Sequence, residues 1–145
     1  MGERRVDVSA EQRLLDYLDE RESELVEFTR ELIATPSVNP PGDERAVVEV
    51  AQARLKELGI DSTEVLAKDE SRPNLMATLS GQDAGRSVIL CSHVDTKPPG
   101  DLGAWRHGPW EPVIEGGELN GLGSGDMKAS AAAMVYAAGA LREVG

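Results

Sequence analysis

The stretch Ser87-Val88-Ile89-Leu90-Cys91-Ser92 runs directly into His93-Val94-Asp95, and its reading decides the fold. Val88 to Cys91 form one unbroken apolar run. That pattern fits a strand covered on both faces; a half-exposed strand alternates. Strands of this kind sit in sheets flanked by helices, so the run predicts an α/β fold with a mixed, partly parallel sheet.

The chain on either side supplies the flanks. Ser9 with Gln12 reads as a capping box, and Leu14, Leu18, Leu25 and Leu32 follow, with Leu15, Val26 and Ile33 beside them. Together they predict one amphipathic helix over residues 10–34. Pro36, Asn39, Pro40 and Pro41 make residues 35–42 a loop. A second helix is expected over 43–58, stopped by Gly59. Residues 60–66 and 74–79 read as strands, and 82–86 as a turn. Downstream of His93, Pro98, Pro99, Gly100, Gly103, Gly108 and Pro109 interrupt any regular structure over 95–110. Val113-Ile114-Glu115 and Glu118-Leu119-Asn120 flank Gly116-Gly117, the pattern of a tight hairpin. An Ala-rich helix over 129–142 closes the chain, its small side chains suited to lying close against a sheet.

With 145 residues the chain has room for one domain with a core, built mainly from Leu, Val, Ile and Ala because aromatics are only 3%. A formal net charge of −11 argues against nucleic acid and against anionic membrane surfaces as partners. Cys91 is the only cysteine, so no intrachain disulfide can form. Residues 1–7 are charged and lack the apolar run of a signal peptide, and no stretch is apolar for long enough to span a bilayer. The cytoplasm is the expected compartment.

Two segments carry chemistry. In extended backbone, residues two apart point the same way, so His93 and Asp95 can face one site together. Neutral imidazole binds zinc, cobalt or manganese, and a nearby carboxylate can fix the ring. Taken alone, His-x-Asp is more often a chance histidine at a strand end followed by a turn aspartate. The second segment is Gly121-Leu122-Gly123-Ser124-Gly125-Asp126-Met127-Lys128. A phosphate-binding role fails on spacing, because Asp126 and Met127 stand where nucleotide loops need glycine. Asp126 as the cap of the Ala-rich helix stays open and is compatible with a metal role.

Order and spacing together are more specific than either segment. His93, Asp95, Pro98-Pro99-Gly100-Asp101, Trp105, Pro109-Trp110-Glu111-Pro112, Gly117-Glu118-Leu119 and residues 121–128 resemble the metallo-aminoacylase family. That family includes acetylornithine deacetylase, succinyl-diaminopimelate desuccinylase, aminoacylase-1 and carboxypeptidase G. The resemblance covers nearly the whole chain. It implies that residues 1–145 are the N-terminal portion of a three-layer catalytic domain. It implies two divalent metal ions, zinc first and cobalt or manganese next, with His93 a ligand of one and Asp126 bridging both. Asp95 is then the catalytic-site acid that orients the His93 ring, and the Asp126-Met127 peptide is cis. Two ions about 3.5–4 Å apart activate water and polarise a scissile carbonyl. The implied reaction is hydrolysis of an amide in a small N-acyl amino acid or dipeptide-like substrate. Leu122, where the family often has Arg, leans toward acetylornithine deacetylase-like members. Gly125 replaces a common Ala, and Ala129 a usual Gly.

The family's site also needs a Glu base, an adjacent Glu ligand, an acidic ligand of the other metal and a final His. None has a counterpart here, and neither does the smaller dimerisation or lid domain, which implies a homodimer for the full-length protein. The chain is therefore expected to be an incomplete fragment, inactive alone. The rival expectation is a non-catalytic truncated domain, or one half of a split protein needing a partner chain. His107 reads as a loop residue and Cys91 as core. Lys97 and Lys128 read as solvated, and Trp105 and Trp110 as packing anchors.

Overall fold

The computed structural model describes residues 9–81 and 85–144. Ser9 starts the first helix as expected: its Oγ accepts from the Gln12 backbone N at 3.2 Å. The single helix expected over 10–34 is two, α1 (Ala10–Glu20) and α2 (Glu22–Ala34), broken at Arg21. There the backbone leaves helical geometry, and the guanidinium lies 4.0 Å from the centre of the Tyr17 ring. Bending at this point lets both helices turn an apolar face inward. In α2 that face is Phe28, Thr29, Leu32 and Ile33, a spacing that recurs each turn. The next helix, α3 (Arg45–Glu57), buries Val47, Val48 and Leu55, and Gly59 at φ +74 turns the chain after it.

The last helix, α4 (Ala129–Val144), presents Ala131, Ala132, Tyr136, Gly139 and Ala140 inward. Its small residues bring it against α1, α2 and α3 rather than against a sheet. At Gly139 a Cβ would stand 3.0 Å from the Tyr17 hydroxyl. The core is thus helical: Phe28, Leu32, Val47, Ala131, Ala132 and Tyr136 form one cluster, with Phe28 and Tyr136 ring centres 6.2 Å apart.

The sheet expectation is overturned. Strands β1 (Thr63–Leu66) and β2 (Asn74–Ala77) pair antiparallel, and so do β3 (Val113–Glu115) and β4 (Glu118–Asn120). Among the described residues these are two separate two-stranded sheets, neither mixed nor parallel, and no three-layer arrangement forms around them. The only parallel contact among the described residues is a single bridge, Val38 to Thr96. Residues 87–92 join no ladder, and Val88 and Ile89 are 83% and 88% exposed. An apolar run becomes a buried strand only if neighbours pair with its backbone and cover its faces, and among the described residues nothing does either. Cys91 is consequently exposed, not core.

The second hairpin matches its reading, with Gly116 and Gly117 at φ +60 and +85 in a two-residue turn. The turn expected over 82–86 lies partly outside the described residues. Among the described residues no helix is long and apolar enough to cross a membrane.

Candidate functional site

Three segments converge beneath the helices. The proline-rich loop 35–42 is stitched to residues 94–96 by backbone hydrogen bonds, Thr96 N to Ser37 O at 2.9 Å and Asn39 N to Thr96 O at 2.8 Å. The Ser37 hydroxyl adds a third, donating to Val94 O at 2.6 Å. The glycine-rich segment arrives from the other side. Gly123, at φ +82, has no room for a side chain, because a Cβ would meet Thr96 Cγ2 at 2.6 Å. Gly121 is similarly confined, since a Cβ there would meet Ile33 Cγ2 at 2.5 Å. Beyond Gly123 the chain makes a wide turn, closed by Lys128 N donating to Gly123 O at 2.9 Å. Asp126 and Met127 lie in it with non-helical backbone, both at φ −138, and the peptide between them is cis, as the resemblance implied.

This packing brings His93, Asp95 and Asp126 together. His93 Nε2 stands 3.0 Å from Asp126 Oδ1, across a sequence separation of 33 residues. His93 Nδ1 stands 3.1 Å from Asp95 Oδ1 and 3.2 Å from the Asp95 carbonyl oxygen. The site is open: the His93 side chain is 48% exposed and that of Asp126 83%. Asp126 therefore spends its recorded contact on the imidazole, while α4 begins at Ala129.

Asp95 is the best-held of the three. Asn39 Nδ2 donates to its Oδ2 at 2.8 Å, and the Arg72 guanidinium lies 3.8 Å from the same oxygen. The Asn39 hydrogen bond holds the Asp95 carboxyl below the usual carboxylate range; partial burial opposes it, and the His93 and Arg72 charges reinforce it. Arg72 is braced in turn by the buried Glu44, whose Oε2 lies 3.3 Å from Arg72 Nε.

Lys128, expected to be solvated, is almost fully buried. Its Nζ donates to Leu32 O at 2.6 Å and to Thr35 O at 2.8 Å, two carbonyls where α2 ends. A cation suits a helix C-terminus, and this one ties the turn carrying Asp126 to α2. Burial pushes its ammonium pKa down to about 8.

Asn39, Arg72 and Lys128 were not read as site residues from the sequence. The signals were faint: an Asn before two prolines, an Arg before Pro73, a Lys between the glycine-rich segment and the Ala-rich helix. Lys97 is exposed. The Trp105 indole donates to Pro99 O at 2.9 Å and anchors its loop, and His107 Nε2 meets Glu115 Oε1 at 3.2 Å. A cleft of about 590 Å³ lies by this loop, lined by Trp105, His107, Glu111, Glu115 and Ser124, and none of His93, Asp95 and Asp126 lines it.

An imidazole nitrogen and a carboxylate oxygen that converge at an open site are metal-binding donors in kind. In number they fall short, since protein zinc sites use three or four such ligands. Among the described residues, no group of three or more His, Cys, Asp or Glu side chains is arranged to hold a metal ion.

Comparison with known proteins agrees with the resemblance. Residues 89–145 match the peptidase family M20/M25/M40. Succinyl-diaminopimelate desuccinylase of Methylocella silvestris is 37% identical over 114 residues, covering 78% of this chain and 29% of that protein. The enzymes of the same name from Stenotrophomonas maltophilia and Gluconacetobacter diazotrophicus are 41% and 39% identical, over 80% and 81% of this chain. The chain spans about three tenths of the length of these curated relatives. On these matches, the chain is similar over about four fifths of its length to succinyl-diaminopimelate desuccinylases, and residues 89–145 match the peptidase family M20/M25/M40.

Proposed function

We propose that the whole protein is a metal-dependent amidohydrolase acting on small N-acyl amino acids or dipeptide-like substrates, and that this chain contributes part of its site. The observation that carries the reading is the meeting of His93 Nε2 and Asp126 Oδ1 at 3.0 Å, with Asp95 on the other ring nitrogen. In this reading His93 offers its Nε2 lone pair to one metal ion, and Asp126 offers a carboxylate able to bridge two. Asp95 accepts the Nδ1 proton and so keeps the lone pair on Nε2. Two divalent ions, zinc or in its place cobalt or manganese, supply water activation and carbonyl polarisation when bound. The names of the relatives put N-succinyl amino acids beside N-acetyl ones as the first substrates to test. The lone thiol of Cys91 fits a reducing compartment such as the cytoplasm. A homodimer of the whole protein belongs to the same proposal.

A second reading, a split half completed by a partner chain or a non-catalytic remnant, draws on the uncovered Val88-Ile89-Leu90 run. One assay separates the two. Hydrolysis of N-succinyl and N-acetyl amino acids is followed with zinc or cobalt, for this chain alone and for a polypeptide as long as its relatives. The longer form is expected to turn over substrate and to lose activity in His93→Ala, while the chain alone stays inactive. Turnover by the chain alone would sink the incomplete-site argument, and an inert longer form would sink the amidohydrolase reading.

A further inference from the structure

Asparagine is a chemically labile side chain, because its carbonyl carbon can be attacked by the backbone nitrogen of the next residue. The chain holds three, Asn39, Asn74 and Asn120, and the residue after each differs. Pro40, after Asn39, has no N–H to lose. Leu75, after Asn74, carries a branched side chain that crowds its nitrogen, and both residues lie inside the β1–β2 ladder. Gly121, after Asn120, has no side chain to shield its nitrogen. Packing enforces that openness. A Cβ at Gly121 would meet Ile33 Cγ2 at 2.5 Å, so a shielding residue does not fit there.

Asn120 is exposed and is the last residue of β4. Its pairing with Val113 holds it, and its Nδ2 donates to Glu118 O at 3.1 Å. A two-stranded sheet with three residues in each strand is marginal in water. Its open end, where Val113 meets Asn120, therefore frays without unfolding of the helical core.

We propose that Asn120-Gly121 is a site of spontaneous covalent modification, where the amide of Asn120 is lost through a cyclic succinimide. Gly121 N attacks Asn120 Cγ, the Cγ–Nδ2 bond breaks, and Nδ2 leaves as ammonia with the Gly121 proton. Water then opens the ring. Opening at one carbonyl gives aspartate; opening at the other gives isoaspartate, whose main chain runs through Cβ and Cγ. The longer backbone falls in a tightly fixed place. Gly121 fits against Ile33, its carbonyl accepts from Ser124 N at 3.2 Å, and Leu122 N donates to Pro109 O at 2.7 Å. Isoaspartate thus displaces the start of the glycine-rich turn, whereas aspartate changes only a surface charge. This modification is independent of the reaction proposed above.

The chain is aged in mildly alkaline buffer at physiological temperature, then digested and read by mass spectrometry. Isoaspartate is counted by labelling with an isoaspartyl methyltransferase. Wild type, Asn120→Gln and Asn120→Asp are compared, and a synthetic peptide of residues 116–124 gives the rate without the fold. The wild type should lose the Asn120 amide, more slowly than the peptide does, while Asn39 and Asn74 keep theirs. Asn120→Gln, whose carbonyl lies one carbon further from the backbone, should keep its amide. Aged wild type should gain a lower-melting population that matches its isoaspartate fraction and is absent from fresh Asn120→Asp. An intact Asn120 after the peptide has fully converted would overturn the proposal, and so would equal loss at Asn39 or Asn74. An equal fall in melting for fresh Asn120→Asp would overturn the role given to the lengthened backbone.

Discussion

Lys128 shows how much a single residue can carry here. Its ammonium fills the place that water or a cap would take at the end of α2, meeting two carbonyls with no carboxylate in ion-pair contact among the described residues. Replacing it with Met keeps the bulk, takes the donor from Thr35 O and leaves Leu32 O only the long 3.4 Å bond from Thr35 N. Each unsatisfied buried carbonyl costs about 1–3 kcal/mol. Lys128→Met should lower the urea midpoint accordingly; an unchanged midpoint would mean that the carbonyls find other partners. Asp43 makes a different case, at the surface. The Arg45 side chain bonded to it lowers its carboxyl pKa from 3.8 to about 2. A carboxylate with a depressed folded pKa stabilises above its unfolded value, and the contribution is lost as pH falls from about 3.8 through about 2. Carboxyl ¹³C shifts should show Asp43 ionised well below pH 3.8, and Arg45→Ala should return it toward that value.

Among the elements, the glycine-rich turn is the most exacting. Gly123 combines a left-handed φ of +82 with contact against Thr96, whereas a Cβ at Gly125 would meet nothing within 4 Å. Gly123→Ala should therefore destabilise by more than the roughly 1–2 kcal/mol of left-handed backbone alone. Gly125→Ala should fall within about 0.5 kcal/mol of the parent. Thermal unfolding of the two variants checks the contrast, and equal losses would contradict it. Three glycines in one segment thus have different roles, which spacing alone does not reveal. The break at Arg21 has the same lesson. Leu18 and Leu25 keep a helical spacing across it, so periodicity cannot report a kink that tertiary packing imposes.

At the scale of the molecule, four α-helices among the described residues supply the core, and the β1–β2 hairpin packs against α3. Phe28 is fully buried at the centre, against Tyr136 and beneath the Arg54 guanidinium 5.1 Å from its ring. Phe28→Ala should cost about 3–5 kcal/mol, read by chemical denaturation. Helices and turns were largely legible because capping, apolar spacing and Gly-Gly dipeptides are local signals. The sheet was not. Residues 87–92 carry the composition of a buried strand, but burial is settled by what lies beside a segment, and here Val88 and Ile89 face solvent. The site divides along the same line. His93, Asp95 and Asp126 were legible from motif spacing, and the structure brings them together. Asn39, Arg72 and Lys128 act from distant positions, through contacts that only the folded chain creates.

The central proposal is that His93 and Asp126 form one corner of the whole protein's metal site. Cobalt titration of a polypeptide as long as the relatives, followed by visible absorption, tests it most directly, using the wild type, His93→Ala and Asp126→Ala. We expect a saturable band in the wild type, with affinity weakened about 100-fold or more in either variant, since losing a direct ligand should cost at least as much as losing a supporting partner. Equal binding by all three proteins, or no saturable band in the wild type, would contradict the account.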